Sequence, residues 1–382
     1  MSPRSKRDVL RAVQPRYQKA NRERKSRILD EFCATTGYHR KYAIYLLNSD
    51  LEELTCLRRR KRGHTYSAHV VSVLAKIWEA ADYPWSVRLK AIIPLWLPWA
   101  RKHIKELTPE VERQLLKIST RQMDRRLRHI KKALGRRIYG RTKPGTLLKH
   151  HIPIKTHAWD VDTAGFAEID LVSHSGSNAS GEFIYSLNLT DIHTTWVETA
   201  AVMGKGQKGV LDAITDIHRS LPFQLRGLDS DNGSEFLNHH LYTYCKEQGI
   251  QFTRSRPYKR DDNAHIEQKN WTHVRKLLGW DRYDSHKALV ALNRLYRDEL
   301  RLMMNLFQPS VKLVRKTRLG SRLIRRYDQP QTPLDRLGAS KIGKSKKVAA
   351  LLELRNSIDP FELSRTIERK LKRIYKLASY SR

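Results

Sequence analysis

Cysteine is scarce in this chain: Cys33, Cys56 and Cys245 lie far apart and no C-x-x-C pair occurs. That spacing argues against both a disulfide framework and a cysteine-based zinc module. Long apolar runs are missing too. The longest, "AIIPLWLPWA" at 91–100, holds two prolines and falls short of the roughly 18 residues a membrane-spanning helix needs. The opening "MSPRSKRDVL" lacks the apolar stretch of a signal peptide. A soluble, cytoplasmic protein with no membrane partner is expected. Negative charge is the third shortage, with 39 Asp+Glu against 74 Lys+Arg and a formal net charge of +35. Such a balance favours a polyanionic partner, foremost nucleic acid.

What is present is enough apolar material for packed cores. The 382 residues are 40% hydrophobic, which suits two or three domains of ordinary size. The charge is unevenly divided. Residues 1–157 carry 37 Lys+Arg and 13 Asp+Glu, residues 158–282 carry 13 and 17, and residues 283–382 carry 24 and 9. A protein that only coated nucleic acid would gain nothing from an acidic centre, because carboxylates repel phosphates. The centre therefore holds its carboxylates for another purpose, and a cation-dependent active site is one.

In the N-terminal third, "RERKSRILDEFCATTGYHRKYAIYLLNS" contains two short helical patterns joined at Gly37, the sequence form of a helix-turn-helix. Ile28, Leu29 and Phe32 mark the first helix, and Tyr42, Ile44, Leu46 and Leu47 the second. Arg40 and Lys41 stand near the start of the second helix, where a recognition helix meets DNA. The basic run Arg58–Arg62 follows as a linker. Trp78, Trp85, Trp96 and Trp99 read as core residues of two amphipathic helices. Thr108 and Pro109 then open a further helix, and Ser119 or Thr120 caps another that carries Arg121, Arg125, Arg126 and Arg128. This second helix-turn-helix pattern would extend the DNA site.

From about residue 165 the apolar period changes from helical to strand-like. "GFAEIDLVSH", "GEFIYSLNLTDIHTTW" and "VETAAVMG" read as three antiparallel strands. Helix, strand, helix, strand and helix follow, which describes a mixed five-stranded sheet with flanking helices, the order of a ribonuclease-H-like fold. Asp170 sits inside the first strand, a costly place for a lone carboxylate. Asp231 lies just past the fourth strand, and Glu267 near the start of the last helix of this region. Glu168 and Asp229 share strand parity with Asp170 and Asp231 and are alternative ligands. If the acids converge, their repulsion calls for hard cations, Mg²⁺ or Mn²⁺, and two such ions can serve phosphoryl transfer.

"EIDLVSH", "DSDNGSEF" and "HIEQKNW", with 35 residues between the last two acids, resemble the catalytic core of DDE transposases and retroviral-type integrases, in particular bacterial insertion-sequence transposases. The resemblance spans roughly residues 158–330. It implies a catalytic and metal-binding triad of Asp170, Asp231 and Glu267, with two Mg²⁺ (or Mn²⁺) ions, and Asn270 on the same helix face as Glu267. It also implies cleavage and joining of element ends to target DNA, and a homo-oligomer on double-stranded DNA. The protein would then be nucleoid-associated when bound. Lys269, Asn270, Arg275 and Lys276 are the DNA contacts expected beside the triad.

Two departures stand out: no His/Cys zinc module precedes the core, and the glycine often found before the catalytic glutamate is absent from "SRPYKRDDNAH". The expected division is a helix-turn-helix region at 1–65, a second helical DNA-binding region at 66–154, the catalytic core at 155–300 and a basic C-terminal region at 301–382. The alternative functions are a ribonuclease-H-like nuclease and a catalytically inactive, transposase-derived DNA-binding regulator.

Overall fold

Apolar residues spaced three and four apart bury one stripe of a helix, and the first fifty residues use this three times. In the computed structural model, α1 (Pro3–Gln18), α2 (Arg22–Thr36) and α3 (Arg40–Asn48) close around Leu10, Tyr17, Ile28, Leu29, Phe32, Ala43, Leu46 and Leu47. Ser2 and Asn21 cap α1 and α2 with their side-chain oxygens. Gly37 ends α2 in the left-handed region at φ 68°, which a glycine adopts without strain. Gln14 donates to the carbonyls of Leu46 (3.3 Å) and Ser49 (2.6 Å), satisfying the end of α3. Tyr42 and Ile44 differ from expectation. The helix phase turns Ala43, Leu46 and Leu47 inward, and Tyr42 and Ile44 face solvent with Tyr45.

The structure describes residues 1–50, 66–133, 163–231, 233–254, 264–319, 322–340 and 345–379. The basic run Arg58–Arg62 and the loop residues Asp261, Asp262 and Asn263 lie outside them. The chain divides into two compact units, 1–65 and 66–382.

The second unit begins with α4 (Ala68–Ala80), α5 (Ser86–His103), α6 (Pro109–Lys117) and α7 (Thr120–Ala133). Trp78 and Trp96 are buried and Trp99 is partly buried against the core. Trp85 departs from expectation: it stands at the N-cap of α5, 78% exposed. Thr108 caps α6 as its position foretold. Met123 and Leu127 of α7 face inward, while Arg121, Arg125 and Arg128 lie exposed along its outer face. Arg126 is half-buried.

Five strands follow: β1 (Phe166–Ser173), β2 (Ile184–Asp191), β3 (Val197–Met203), β4 (Gly227–Ser230) and β5 (Gln251–Arg254). They form one sheet in the order β3-β2-β1-β4-β5. The first three are antiparallel, and β4 and β5 run parallel to β1. This is the mixed sheet the strand periods called for. Helices α8 (Gln207–Ser220) and α9 (His239–Glu247) make the crossovers. Next comes α10, helical from Ala264 to Lys269, with a π-helical turn at Asn270–Arg275 and a last turn at Lys276–Leu278. Helix α11 (His286–Leu295) and its continuation cover the free edge of β3. Asn293 exchanges two 2.9 Å hydrogen bonds with the backbone of Ala201, and Asn305 does the same with Val197 at 2.8 and 2.9 Å. Side-chain amides thus take the place of a sixth strand and block edge pairing.

The chain ends with the hairpin β6 (Leu313–Leu319) and β7 (Arg322–Tyr327), then α12 (Pro333–Ala339), α13 (Lys346–Ser357) and α14 (Pro360–Tyr375). The basic amphipathic α14 packs inward, burying Phe361, Leu363, Ile367, Leu371 and Ile374 in the core shared with α5 and the sheet.

Candidate active site

β1 is eight residues long and its parallel neighbour β4 only four. Their register pairs Glu168 with Asp229 and Ile169 with Ser230, so the next step along β1 brings Asp170 level with Asp231, where β4 has ended. All four carboxylates share one strand parity and therefore one face of the sheet.

The inner two are occupied. Glu168, buried at 1% exposure, accepts a 3.0 Å hydrogen bond at Oε2 from the backbone N–H of Ile266 in the first turn of α10. Its negative charge suits that N-terminal end. Asp229, equally buried, accepts at Oδ1 from the Thr253 hydroxyl at 2.6 Å.

The outer two are held above the ordinary carboxylate range, by burial first and by like charges second. Burial, followed by the charge of Asp231, pushes the Asp170 carboxyl up to about 7, and Glu235 adds to the push. Asp231 is also raised, chiefly by burial and then by Glu235, against a 2.9 Å hydrogen bond from the Gly233 N–H. Gly233 permits this close packing, because a Cβ there would stand 2.7 Å from the Glu235 carboxyl carbon and 2.9 Å from Asp231 Oδ1.

Helix α10 reaches the same spot. Asn270 donates from Nδ2 to Asp170 Oδ2 at 2.6 Å, and Leu171 N–H holds Oδ1 at 2.8 Å. Behind Asn270, the Asn188 amide donates to its Oδ1 at 2.7 Å, and the Thr199 hydroxyl donates to Asn188 Oδ1 at 2.8 Å. Asp170, Asn188 and Thr199 are cross-strand partners on β1, β2 and β3, so one polar row crosses three strands and ends on the carboxylate. Glu267 lies in α10, one helical turn before Asn270; its side chain lies outside the described residues.

The donor set of Asp170 and Asp231 is all carboxylate oxygen, and their mutual repulsion is the kind a hard divalent cation removes. The residues present therefore fit Mg²⁺ or Mn²⁺. Among the described residues no group of three or more His, Cys, Asp or Glu is arranged to hold a metal.

The other expected contacts are scattered. Lys269 is buried at 8% exposure, its amine pulled down to about 7 by burial and by Arg88 and Arg336; that position does not offer a phosphate contact. Lys276 is paired with Asp82 at 2.5 Å. The Arg275 guanidinium lies over the Trp280 ring, 3.9 Å from its centroid. In the first unit, Arg40 is exposed and pairs with Asp30, and Lys41 is exposed beside it. His174 is buried against Ser186 at 2.8 Å, with its pKa lowered to about 3 by burial, a neutral core imidazole.

Sequence reasoning missed Asn188, Thr199 and Glu235. A polar residue on the core-facing parity of a strand was the available signal for the first two.

A mixed sheet of this order, with two strained carboxylates where its central parallel strands end, defines an α/β domain with a candidate divalent-cation site. The chain belongs to the family of "Uncharacterized protein y4rM" from Sinorhizobium fredii (strain NBRC 101917 / NGR234), to which it is 39% identical over 333 residues, 87% of this chain and 94% of that protein. No family model matches it. Among solved structures it is similar to the catalytic core domain of BIV integrase, with 18% identity over 30% of this chain and 68% of that chain and a TM-score of 0.25. It is also similar to the HTLV-2 integrase catalytic core domain in complex with magnesium, with 14% identity over 39% and 91% and a TM-score of 0.28. Likenesses of that size add nothing to the geometry.

Proposed function

We propose that this protein is a DNA transposase that cuts and joins element ends by divalent-metal-dependent phosphoryl transfer, with Asp170, Asp231 and Glu267 as its triad on a ribonuclease-H-like core. One observation carries the reading: Asp170 and Asp231 meet where the central strands β1 and β4 part, and Asn270, from the helix that holds Glu267, fixes the orientation of Asp170. Asp170 and Asp231 would hold two ions together with Glu267. When bound, such ions activate an attacking oxygen and stabilise a leaving one on phosphorus.

The chain's own residues set the geometry. Asn270 and Leu171 N–H each hold one oxygen of Asp170. Gly233 N–H holds one oxygen of Asp231. Water attacks the phosphorus at an element end, forming a new P–O bond as the P–O3′ bond breaks and leaving a 5′-phosphate and a free 3′-OH; that hydroxyl then attacks a target phosphorus in line and displaces the target strand's 3′ oxygen. No covalent enzyme intermediate is required, so no nucleophilic Ser or Tyr is assigned. Arg40 and Lys41 on α3, and Arg121, Arg125 and Arg126 on α7, supply positive charge for duplex DNA.

Strand transfer with purified protein, labelled duplexes from DNA flanking the gene and a plasmid target tests the proposal. Joining should require Mg²⁺, stop with EDTA and vanish in Glu267→Gln. An Asp231→Ala protein that still joins ends would refute it.

A further inference from the structure

Residues 313–327 hold six Lys or Arg and no Asp or Glu. Within them, β6 and β7 pair as a sheet of two strands. Its register sets Arg315 opposite Arg326 and Lys316 opposite Arg325. Like charges directly across a ladder destabilise it, and a two-stranded ribbon is marginal without help. Arg315, Arg325 and Arg326 are exposed, as are Val314, Ile324 and Tyr327.

The base of the ribbon is firmly tied. Asp328 accepts from Lys312 N–H at 2.6 Å and from Arg336 at 2.6 Å, and that arginine is buried. Ser310 and Gln331 exchange backbone hydrogen bonds of 2.8 and 3.1 Å. The Ser310 hydroxyl meets that of Thr195 at 2.6 Å, and Lys312 Nζ donates to the His193 carbonyl at 3.0 Å. A rigid root on the sheet domain thus carries an arm whose charges repel one another. Charges that only blunt an exposed edge need not face each other across the ladder. Seven residues of strand reach roughly 23 Å, and a two-stranded ribbon is of a size to enter the major groove of B-DNA.

We propose that the β6–β7 ribbon is a DNA-binding arm that enters the major groove of duplex DNA, with Arg315, Arg325 and Arg326 meeting phosphates or guanine edges. The inference rests on the transposase reading for the kind of polyanion. The experiment compares the full chain with the triple variant Arg315→Ala/Arg325→Ala/Arg326→Ala. Binding to a duplex from the element flank is followed by anisotropy across a salt series, with guanine-N7 methylation as the groove readout.

For three lost phosphate contacts, the slope of log K against log salt should fall by about 3. N7 protection should shrink, and the thermal unfolding midpoint should not fall, because these side chains are exposed and their loss relieves the repulsion across the ladder. The triple Arg→Lys variant should recover the slope. Wild-type slope and N7 protection in the alanine variant would overturn the arm, as would guanine N7 left unprotected when the wild-type protein is bound. A wild-type protein that binds no duplex would overturn the transposase reading with it; one that binds and joins DNA equally well without the three arginines overturns the arm alone.

Discussion

Two rungs of the same sheet, two residues apart on one face, carry carboxylates of opposite use. The inner rung, Glu168 with Asp229, lies where β1 and β4 are still paired, and its oxygens hold the Ile266 N–H and the Thr253 hydroxyl. The outer rung, Asp170 with Asp231, lies where β4 has stopped, and burial first, then neighbouring carboxylates, raises both of its acids. Residue type and parity are alike; strand length makes the difference. A carboxylate inside the ladder becomes part of the scaffold, and one just past it becomes available to a ligand.

The sharpest break of that comparison is in catalysis. Asp170→Asn or Asp231→Asn should cut strand transfer by about 10³-fold or more while duplex affinity changes little, as read in single-turnover joining and in anisotropy. Glu168→Ala should act on stability first. Losing a charge-assisted hydrogen bond to a buried helix end costs about 1.5–3 kcal/mol, visible as a lower urea midpoint. If Glu168→Ala abolished joining with the midpoint unmoved, the two rungs would have exchanged roles.

The pH dependence sharpens the contrast. Asp170 has a folded pKa of about 7 against an ordinary 3.8, so the folded state keeps a proton that the unfolded state releases. Its contribution to stability is complete below about 4, declines as pH rises towards 7 and stays lost above that. Asp170→Asn should flatten this decline in metal-free melting curves, and Mg²⁺ should restore stability to the wild type above pH 7 but not to the variant. The smallest effect is expected along the polar row. Thr199→Val should lower joining less than Asn270→Ala, because a neutral hydrogen bond is worth about 1 kcal/mol and acts there through two further side chains.

Much of the outer rung was legible in the sequence. Alternation over "AEIDLV" set the strand and the face, and the turn residues after Asp231 marked where the partner strand stops. Parity does not separate Asp170 from Glu168 or Asp231 from Asp229, since all four share it; what distinguishes the inner pair is contacts with Ile266 and Thr253, 98 and 24 residues away. Tyr42, Ile44 and Trp85 were misplaced because an apolar residue in a helical pattern looks the same on either side of the boundary between core and surface. Burial of Lys269 was hidden for a related reason: Arg88 and Arg336 come from remote segments.

The π-helical turn at Asn270–Arg275 spends one residue more per turn than an α-helix over a similar rise. That surplus is a reserve of length. Relatives shortened by one residue between Asn270 and Tyr283 can relax the turn to α geometry and keep both anchor points, Asn270 on Asp170 and the buried Tyr283. Shortening between Glu267 and Asn270 has no such reserve, and would rotate one against the other by about 100°. Single-residue deletions in this family should therefore gather on the far side of Asn270.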